Sequence, residues 1–364
     1  MWEATRGSWQ GPGTGKTRAL TRRVVKLLVV DQVPLDAVLA LVFTRVNAYE
    51  LHRALKAELE QYGMAMPRGL ASTLHAYALR QLIGNSRVVK ALPQPVRVAD
   101  DYEEKNIIRP DIGKRLGLSV KEVGDRFDEL SDDWQSLAEP AYQAADPKFL
   151  GFWQEHRATY GYTLRCELVW QLRQAIKENP DHFRFDRDIK HLLVDEYQDL
   201  NKCDVAVIKE LAARGAQVFC SGDDDQSIYG FRRAYPTGIR DFPTEYKPSK
   251  KLELAICWRC DRRIIALGQY VVNRGDHQRV PKPMEPRPTA GEGEVHLLRF
   301  AEQEEEAKGV AGICRHLIRV AGYAPESVLV PTFASSCMRN WLSKSQQMGF
   351  LFRSIRMLSS ASRH

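Results

Sequence analysis

No run in the 364-residue sequence is apolar for long enough to cross a bilayer as a helix, so no membrane partner is expected. The opening residues, MWEATRGSWQ, lack the apolar centre of a secretory signal, which points to a cytoplasmic protein. A disulfide framework is also missing. The seven cysteines are odd in number and scattered, a pattern that suits a reducing compartment. Cys257 and Cys260 form a CxxC, but no second Cys/His pair stands nearby at zinc spacing, so they read as structural thiols. Acid is not in excess either: 53 Lys and Arg against 46 Asp and Glu leave a net charge of +7, which permits a polyanionic partner or simply serves solubility. The hydrophobic fraction of 44% is ordinary for a globular chain, and the length suffices for two or three domains.

What the sequence does have is concentrated between Lys190 and Arg233. Leu192, Leu193 and Val194 form a short apolar run that ends in Asp195-Glu196, and Val218 to Cys220 ends likewise in Ser221-Gly222-Asp223. Both patterns predict buried strands that deliver carboxylates to their carboxyl ends, where open α/β sheets bind ligands. Burying an unpaired carboxylate costs several kcal/mol or neutralises it, on the order of magnitude found for buried ions. A magnesium ion, or a water activated for attack, would supply the missing partner. The alternative is that Asp195 and Glu196 are ordinary exposed acids of a loop.

Near the start, Gly11-Pro12-Gly13-Thr14-Gly15-Lys16-Thr17 is a glycine-rich turn that leads through Arg18 into a helical pattern, RALTRRVVKLLVV. Glycines let backbone N–H groups close around phosphate oxygens, and the helix N-terminus adds its positive end. Lys16 would reach the outer phosphates and Thr17 would ligate magnesium. Two features depart from the full pattern. Gln10 stands where Gly or Ala belongs, and Glu3 to Gln10 is too polar for the strand that should lead into the loop. The N-terminus reads as cut or wrongly joined.

Along the chain, Val38 to Phe43 predicts a buried strand ending in Thr44-Arg45, followed by a helix over about Ala48 to Tyr62. Leu70 to Leu82 predicts a short strand, His75 on a turn, then an amphipathic helix. From about Gly84 to Glu178 the patterns are helical, with aromatics such as Trp134, Tyr142, Phe149, Trp153 and Tyr162 that suit a small core of their own. Lys250 to Ile256 predicts another strand, and Pro281 to Gly293 a linker or long loop. Glu294 to Phe300, Ala301 to Ala321, Val328 to Val330 and Ser335 to Met348 predict a further β-α-β-α unit.

A phosphate loop, a DExx strand end and a GDxxQ strand end occur in that order. Together these motifs resemble the UvrD/Rep-type (UvrD, PcrA and Rep) superfamily 1 DNA helicases. LLVDEYQDLN and SGDDDQSIYGFRRA match that family closely. LVFTRVNAYELHRAL, STLHAYALRQL and LELAICWRC are similar to further motifs, and GEVHLLRFAEQEEEAKGVAGIC with SVLVPTFASS resembles the start of its second motor domain. The resemblance implies an α/β fold: a RecA-like P-loop NTPase domain with a parallel sheet over 1–84 plus 179–249, a helical insertion over 85–178, and an incomplete second RecA-like domain over 250–364.

It also implies ATP and Mg2+ as ligands, and single-stranded DNA and duplex junctions as partners, with repair or replication proteins beside them. By resemblance, residues 11–18 cradle the nucleotide, Lys16 holds the β- and γ-phosphates, and Thr17 with Asp195 holds magnesium. Glu196 is the general base and Gln226 senses the γ-phosphate. Arg259 reaches it from the second domain as an arginine finger. Thr44, His75, Tyr229 and Phe231 lie in elements that contact DNA. The implied activity is ATP-driven 3′ to 5′ translocation with strand separation.

Departures accompany the match. Cys257 and Trp258 replace the Asn and Tyr of the family's Asn-Tyr-Arg-Ser element, Phe231-Arg232-Arg233 replaces Trp-Arg-Gly, and Pro331 replaces a family Arg. No glutamine-containing adenine segment precedes the loop, and the chain stops before the late motifs, so it reads as the amino-terminal part of a motor. The rival expectations are a truncated or degenerate remnant that binds ATP or DNA without unwinding, and a P-loop small-molecule kinase, for which the GDDDQSIYGFRR run has no evident use.

Overall fold

The computed structural model of the protein describes residues 5–66, 69–138, 146–227, 233–275, 278–332 and 357–359. Two compact units are present, 1–293 and 294–364.

In the first unit, β1 (Thr5–Gln10) runs through the glycine-rich turn into α1 (Lys16–Val25), and β2 (Val38–Val42) into α2 (Arg45–Glu60). Then come β3 (Ala71–Thr73) and α3 (Leu74–Gly84). A helical stretch follows: α4 (Asp101–Glu103), α5 (Arg109–Leu116), α6 (Val120–Ser136), α7 (Pro147–Tyr160) and α8 (Leu168–Glu178). The chain returns to β4 (His191–Val194), α9 (Lys202–Ala213), β5 (Gln217–Gly222), α10 (Thr237–Glu245) and β6 (Ser249–Leu254). It closes with β7 (Ile256–Cys257), α11 (Arg262–Val272) and β8 (Glu285–Pro286).

Six strands form one sheet in the order β3-β2-β4-β5-β1-β6, every pair parallel. This is the α/β parallel-sheet architecture expected from the alternation of apolar runs with helical patterns. Side chains alternate across a strand, and the sheet sorts them into two cores. Leu39 and Leu41 of β2, Leu192 and Val194 of β4, and Val218 and Cys220 of β5 join α3, α8 and α9 on one face. Val38, Ala40 and Val42, with Leu193 and Phe219, join α1 and α2 on the other. The stretches of β2, β4 and β5 buried between these two faces are mostly apolar, which is why they read as short uninterrupted runs.

The polar segment before the loop behaves differently from its sequence expectation. Thr5–Gln10 forms β1 in the interior of the sheet, paired to β5 on one side and β6 on the other. Its backbone groups are satisfied by two ladders, and that pairing does not depend on side-chain polarity.

Residues 99–164 enclose a separate apolar cluster built on Trp134, Phe149, Trp153 and Tyr162, so these aromatics serve a local core. Trp134 and Trp153 sit with ring centroids 5.9 Å apart. Tyr142, assigned to the same core from sequence, lies outside the described residues.

Several local expectations shift. His75 lies in the first turn of α3, capped by Thr73, not on a preceding turn. Residues 250–254, grouped by sequence with a second domain, are hydrogen-bonded into the first sheet as β6, and the compact units divide after Gly293. In the second unit, residues 294–300 form no strand, and Leu297 is 99% exposed. α12 (Gln303–Arg319) matches the expected helix, while β9 (Val330–Thr332) starts two residues late and pairs in parallel with β10 (Met357–Ser359). The helix expected over 335–348 falls outside the described residues.

Asp204, at the start of α9, is 4% exposed and closes a reciprocal cap with Asn201. Burial pushes its carboxyl up to about 7, against a smaller downward pull from the Asn201 N–H. A folded-state value above the unfolded one, ~3.9, means this group favours folding most below pH ~4 and loses that contribution as pH rises through 7. Wild type should therefore gain stability relative to Asp204→Asn between pH 7.5 and pH 5, read as the difference in urea midpoints. Parallel pH profiles would remove Asp204 as the cause.

Candidate nucleotide site at the carboxyl rim of the sheet

Neighbouring strands β4, β5 and β1 bring their carboxyl ends to one rim, and the expected residues meet there. The turn after β1 carries Lys16 and Thr17, β4 ends in Asp195 and Glu196, and β5 leads to Gln226. Lys16, 8% exposed, places Nζ 3.2 Å from Gln226 Oε1 and 3.4 Å from Glu196 Oε2. Thr17 Oγ1 donates to Asp195 Oδ2 at 3.3 Å. These five side chains converge although up to 210 positions separate them in sequence.

Asp195 is buried, and its other oxygen accepts from Ser221 Oγ at 2.5 Å. Burial and the adjacent Glu196 raise its pKa, while the Ser221 hydrogen bond and Lys16 oppose them. Glu196 has φ 51, a left-handed conformation that a non-glycine residue adopts only when its surroundings hold it there. Its carboxylate accepts from Gln198 Nε2 at 2.9 Å.

Gln198 also accepts from the Asp223 N–H at 2.9 Å, so it bridges the ends of β4 and β5. Gly222 makes that bridge possible, because a Cβ there would fall 2.6 Å from Gln198 Oε1. The motif reading singled out neither Gln198 nor Ser221. Both lie inside the recognised motifs, and only their spatial partners reveal what they hold.

The loop itself is fitted closely to β7 and the segment after it. Gly13 has φ +71, its carbonyl accepts from the Trp258 N–H at 3.0 Å, and a Cβ on it would lie 2.6 Å from Arg259 Cβ and 3.2 Å from Cys257 Sγ. Arg259 thus stands beside the phosphate loop and within the same compact unit, not in a second one. Thr14 Oγ1 donates to the Gly11 carbonyl at 2.9 Å and closes the turn. Gly11 is buried, Gly15 is half-buried, and Pro12 and Arg18 are exposed at its lip.

Thr44 caps α2, its Oγ1 accepting from the Asn47 N–H at 3.0 Å. His75 is half-buried on α3. Tyr229 and Phe231 lie outside the described residues.

The donor set fits a divalent cation with a phosphate chain. Thr17 and Asp195 offer hard oxygen atoms beside the buried Lys16 ammonium, and a carboxylate raised by burial is one that a cation would stabilise. Among the described residues, the grouping of three close acids is Asp223, Asp224 and Asp225, and Lys282 already contacts all three. That trio has its counter-charge within the protein.

The UvrD/REP helicase N-terminal domain family matches residues 9–247. The ATP-dependent DNA helicase UvrD1 of Mycobacterium tuberculosis is 28% identical over 327 residues, covering 83% of this chain and 41% of that protein. DNA helicase II of Haemophilus influenzae is 27% identical over 290 residues, 73% of this chain and 38% of that protein. The ATP-dependent DNA helicase srs2 of Schizosaccharomyces pombe is 25% identical over 372 residues, 92% of this chain and 40% of that protein. The chain spans about two-fifths of the length of these curated relatives.

Two glycines of the loop test how tightly it is fitted. Gly13 and Gly15 both have positive φ, but a Cβ on Gly15 meets nothing within 4 Å. Gly15→Ala should cost only the backbone strain, roughly 1–3 kcal/mol. Gly13→Ala should cost about 1–3 kcal/mol more from overpacking against Arg259. Urea unfolding of the two variants measures the gap, and equal losses would mean the Arg259 contact is not a real constraint.

Proposed function

Because the chain belongs to the UvrD/REP helicase family, we propose that it is the ATP-hydrolysing part of a DNA helicase that moves 3′ to 5′ on single-stranded DNA and separates duplex junctions. The observation that carries this reading is the convergence of Lys16, Thr17, Asp195, Glu196 and Gln226 at one sheet rim. Relatives named as ATP-dependent DNA helicases support the ATP and DNA assignments. A cytoplasmic location and repair or replication partners belong to the same proposal.

In this reading ATP lies along residues 11–18, its phosphates wrapped by the loop backbone and the N-terminus of α1. Lys16 binds the β- and γ-phosphate oxygens and draws charge toward them as the bond to the leaving group breaks. Glu196 takes a proton from the attacking water while the water oxygen bonds to the γ-phosphorus and ADP leaves with the bridging oxygen. Gln226 orients toward the γ-phosphate, and Gln198 keeps the Glu196 carboxylate aimed. Thr17 and Asp195 would hold Mg2+, which supplies charge neutralisation on the phosphate chain.

Arg259, already packed on Gly13, reaches the γ-phosphate from the other side. Thr44 and His75, with Tyr229 and Phe231, contact the DNA strand, and base stacking on such aromatics is tolerant of sequence. Residues 85–178 form an inserted helical subdomain, and 294–364 belong to a second motor domain.

DNA-stimulated ATP hydrolysis is the discriminating assay. A motor fragment shows it, a binding remnant takes up nucleotide without turnover, and a small-molecule kinase ignores oligothymidylate.

Glu196→Gln should keep affinity for a fluorescent ATP analogue while kcat falls by about 10²–10⁴. Equal loss of binding and turnover would remove Glu196 as the base. Arg259→Ala should slow hydrolysis by up to about 10³–10⁵ with DNA affinity unchanged in a filter-binding titration. Unaltered turnover would end its assignment as a finger.

A further inference from the structure

The stretch after α11 runs into the segment Pro281 to Gly293, read from sequence as a linker or long loop, and its cations are closely engaged. Lys282, whose side chain is 5% exposed, donates to Asp223 Oδ1 and Asp224 Oδ1 and lies 3.0 Å from Asp225 Oδ2. Arg279 forks onto both oxygens of Asp225, each at 2.9 Å. The Val280 N–H and Arg240 Nε donate to Asp224 Oδ2 at 2.8 and 2.9 Å. Three cations therefore face three carboxylates directly after β5.

Burial alone would lower the Lys282 pKa, but Asp223 and Asp224 outweigh it and hold the ammonium charged. Burial raises Asp224, and hydrogen bonds from Lys282 and the Val280 N–H more than offset that.

The network does not end at the trio. Asp223 turns its second oxygen, Oδ2, to accept from Gln226 Nε2. Gln226 then faces Lys16 Nζ with its carbonyl Oε1 at 3.2 Å. A carboxylate only accepts and an ammonium only donates. Asp223 and Lys16 therefore fix the Gln226 amide in one of its two orientations, NH2 toward Asp223 and oxygen toward Lys16. Asp223 can play that part only while its own position is fixed, and Lys282 fixes it together with the Asp225 N–H, which donates to the same Oδ1 at 3.1 Å. Without that ammonium Asp223 would be a buried carboxylate beside two others, repelled by them and no longer held toward Gln226.

We propose that Lys282 is a positioning residue for hydrolysis: through Asp223 it holds the Gln226 amide in register with Lys16 and the γ-phosphate. Arg279 and Arg240 complete the clamp by neutralising Asp225 and Asp224. The inference rests on the reading of Gln226 as the γ-phosphate contact.

The test uses the full chain, Mg-ATP and oligothymidylate. Lys282→Met should lower kcat by about 10- to 100-fold, the cost of a displaced catalytic group, with KM unchanged. Lys282→Arg should restore part of that loss. In a Gln226→Ala background Lys282→Met should cost nothing further, because both changes remove the same function. An undiminished kcat, or an equal loss in both backgrounds, overturns the proposal.

If Lys282→Met fails to fold by circular dichroism, Lys282→Arg in the two backgrounds carries the same comparison. If the unsubstituted chain hydrolyses no ATP, the helicase reading falls, and the link from Lys282 to Gln226 is read instead from urea unfolding. Non-additive losses for Lys282→Arg and Gln226→Ala keep it, and additive losses overturn it.

Discussion

Two parallel strands that end in carboxylates set the terms for the rest of this protein. Asp195 and Asp223 stand at the rim of a sheet covered on both faces, where water is scarce and an unbalanced charge is costly. The chain answers the two cases differently. Around Asp223 the counter-charge is internal and permanent, supplied by Lys282. Around Asp195 the partners are of another kind: Thr17 and Ser221 provide hydroxyls, and the Lys16 ammonium pairs with Glu196 at 3.4 Å. One acidic strand end is closed by an ammonium and the other is held by hydroxyls. The division of labour between structure and chemistry follows from that asymmetry.

The sheet makes this possible by where it places its strands. β4, β5 and β1 are neighbours in space but far apart in sequence, so their carboxyl ends form a single ridge. α1 and α2 cover one face, and α3, α8 and α9 the other. The helical stretch over 99–164 has its own apolar cluster, so it can be inserted between β3 and β4 without disturbing that ridge.

The motifs were legible from the sequence because their chemistry is local. Gly11 to Thr17, Asp195-Glu196 and Gln226 announce themselves by residue type, and the apolar runs before them identify the strands that present them. What stayed hidden depends on distant partners. Ser221 is an unremarkable serine until Asp195 comes to lie beside it. Lys282 sits in a proline-rich stretch with no periodicity, and its 59-residue separation from Asp223 leaves no pattern to detect. β1 was obscured for the opposite reason: interior strands are expected to be apolar, yet backbone pairing on two sides suffices here. Residues 294–300 mislead in the other direction, since they alternate like a strand yet form none.

The position of β1 also bears on how this protein would withstand force. The strand that launches the phosphate loop is bonded along its length to a parallel neighbour on each flank. A tug on that loop along the strand would load both ladders together in shear, sharing the strain among many hydrogen bonds. An edge strand could instead be peeled away one bond at a time. A machine that turned phosphate release into pulling would be gripped at a seam sewn on both sides.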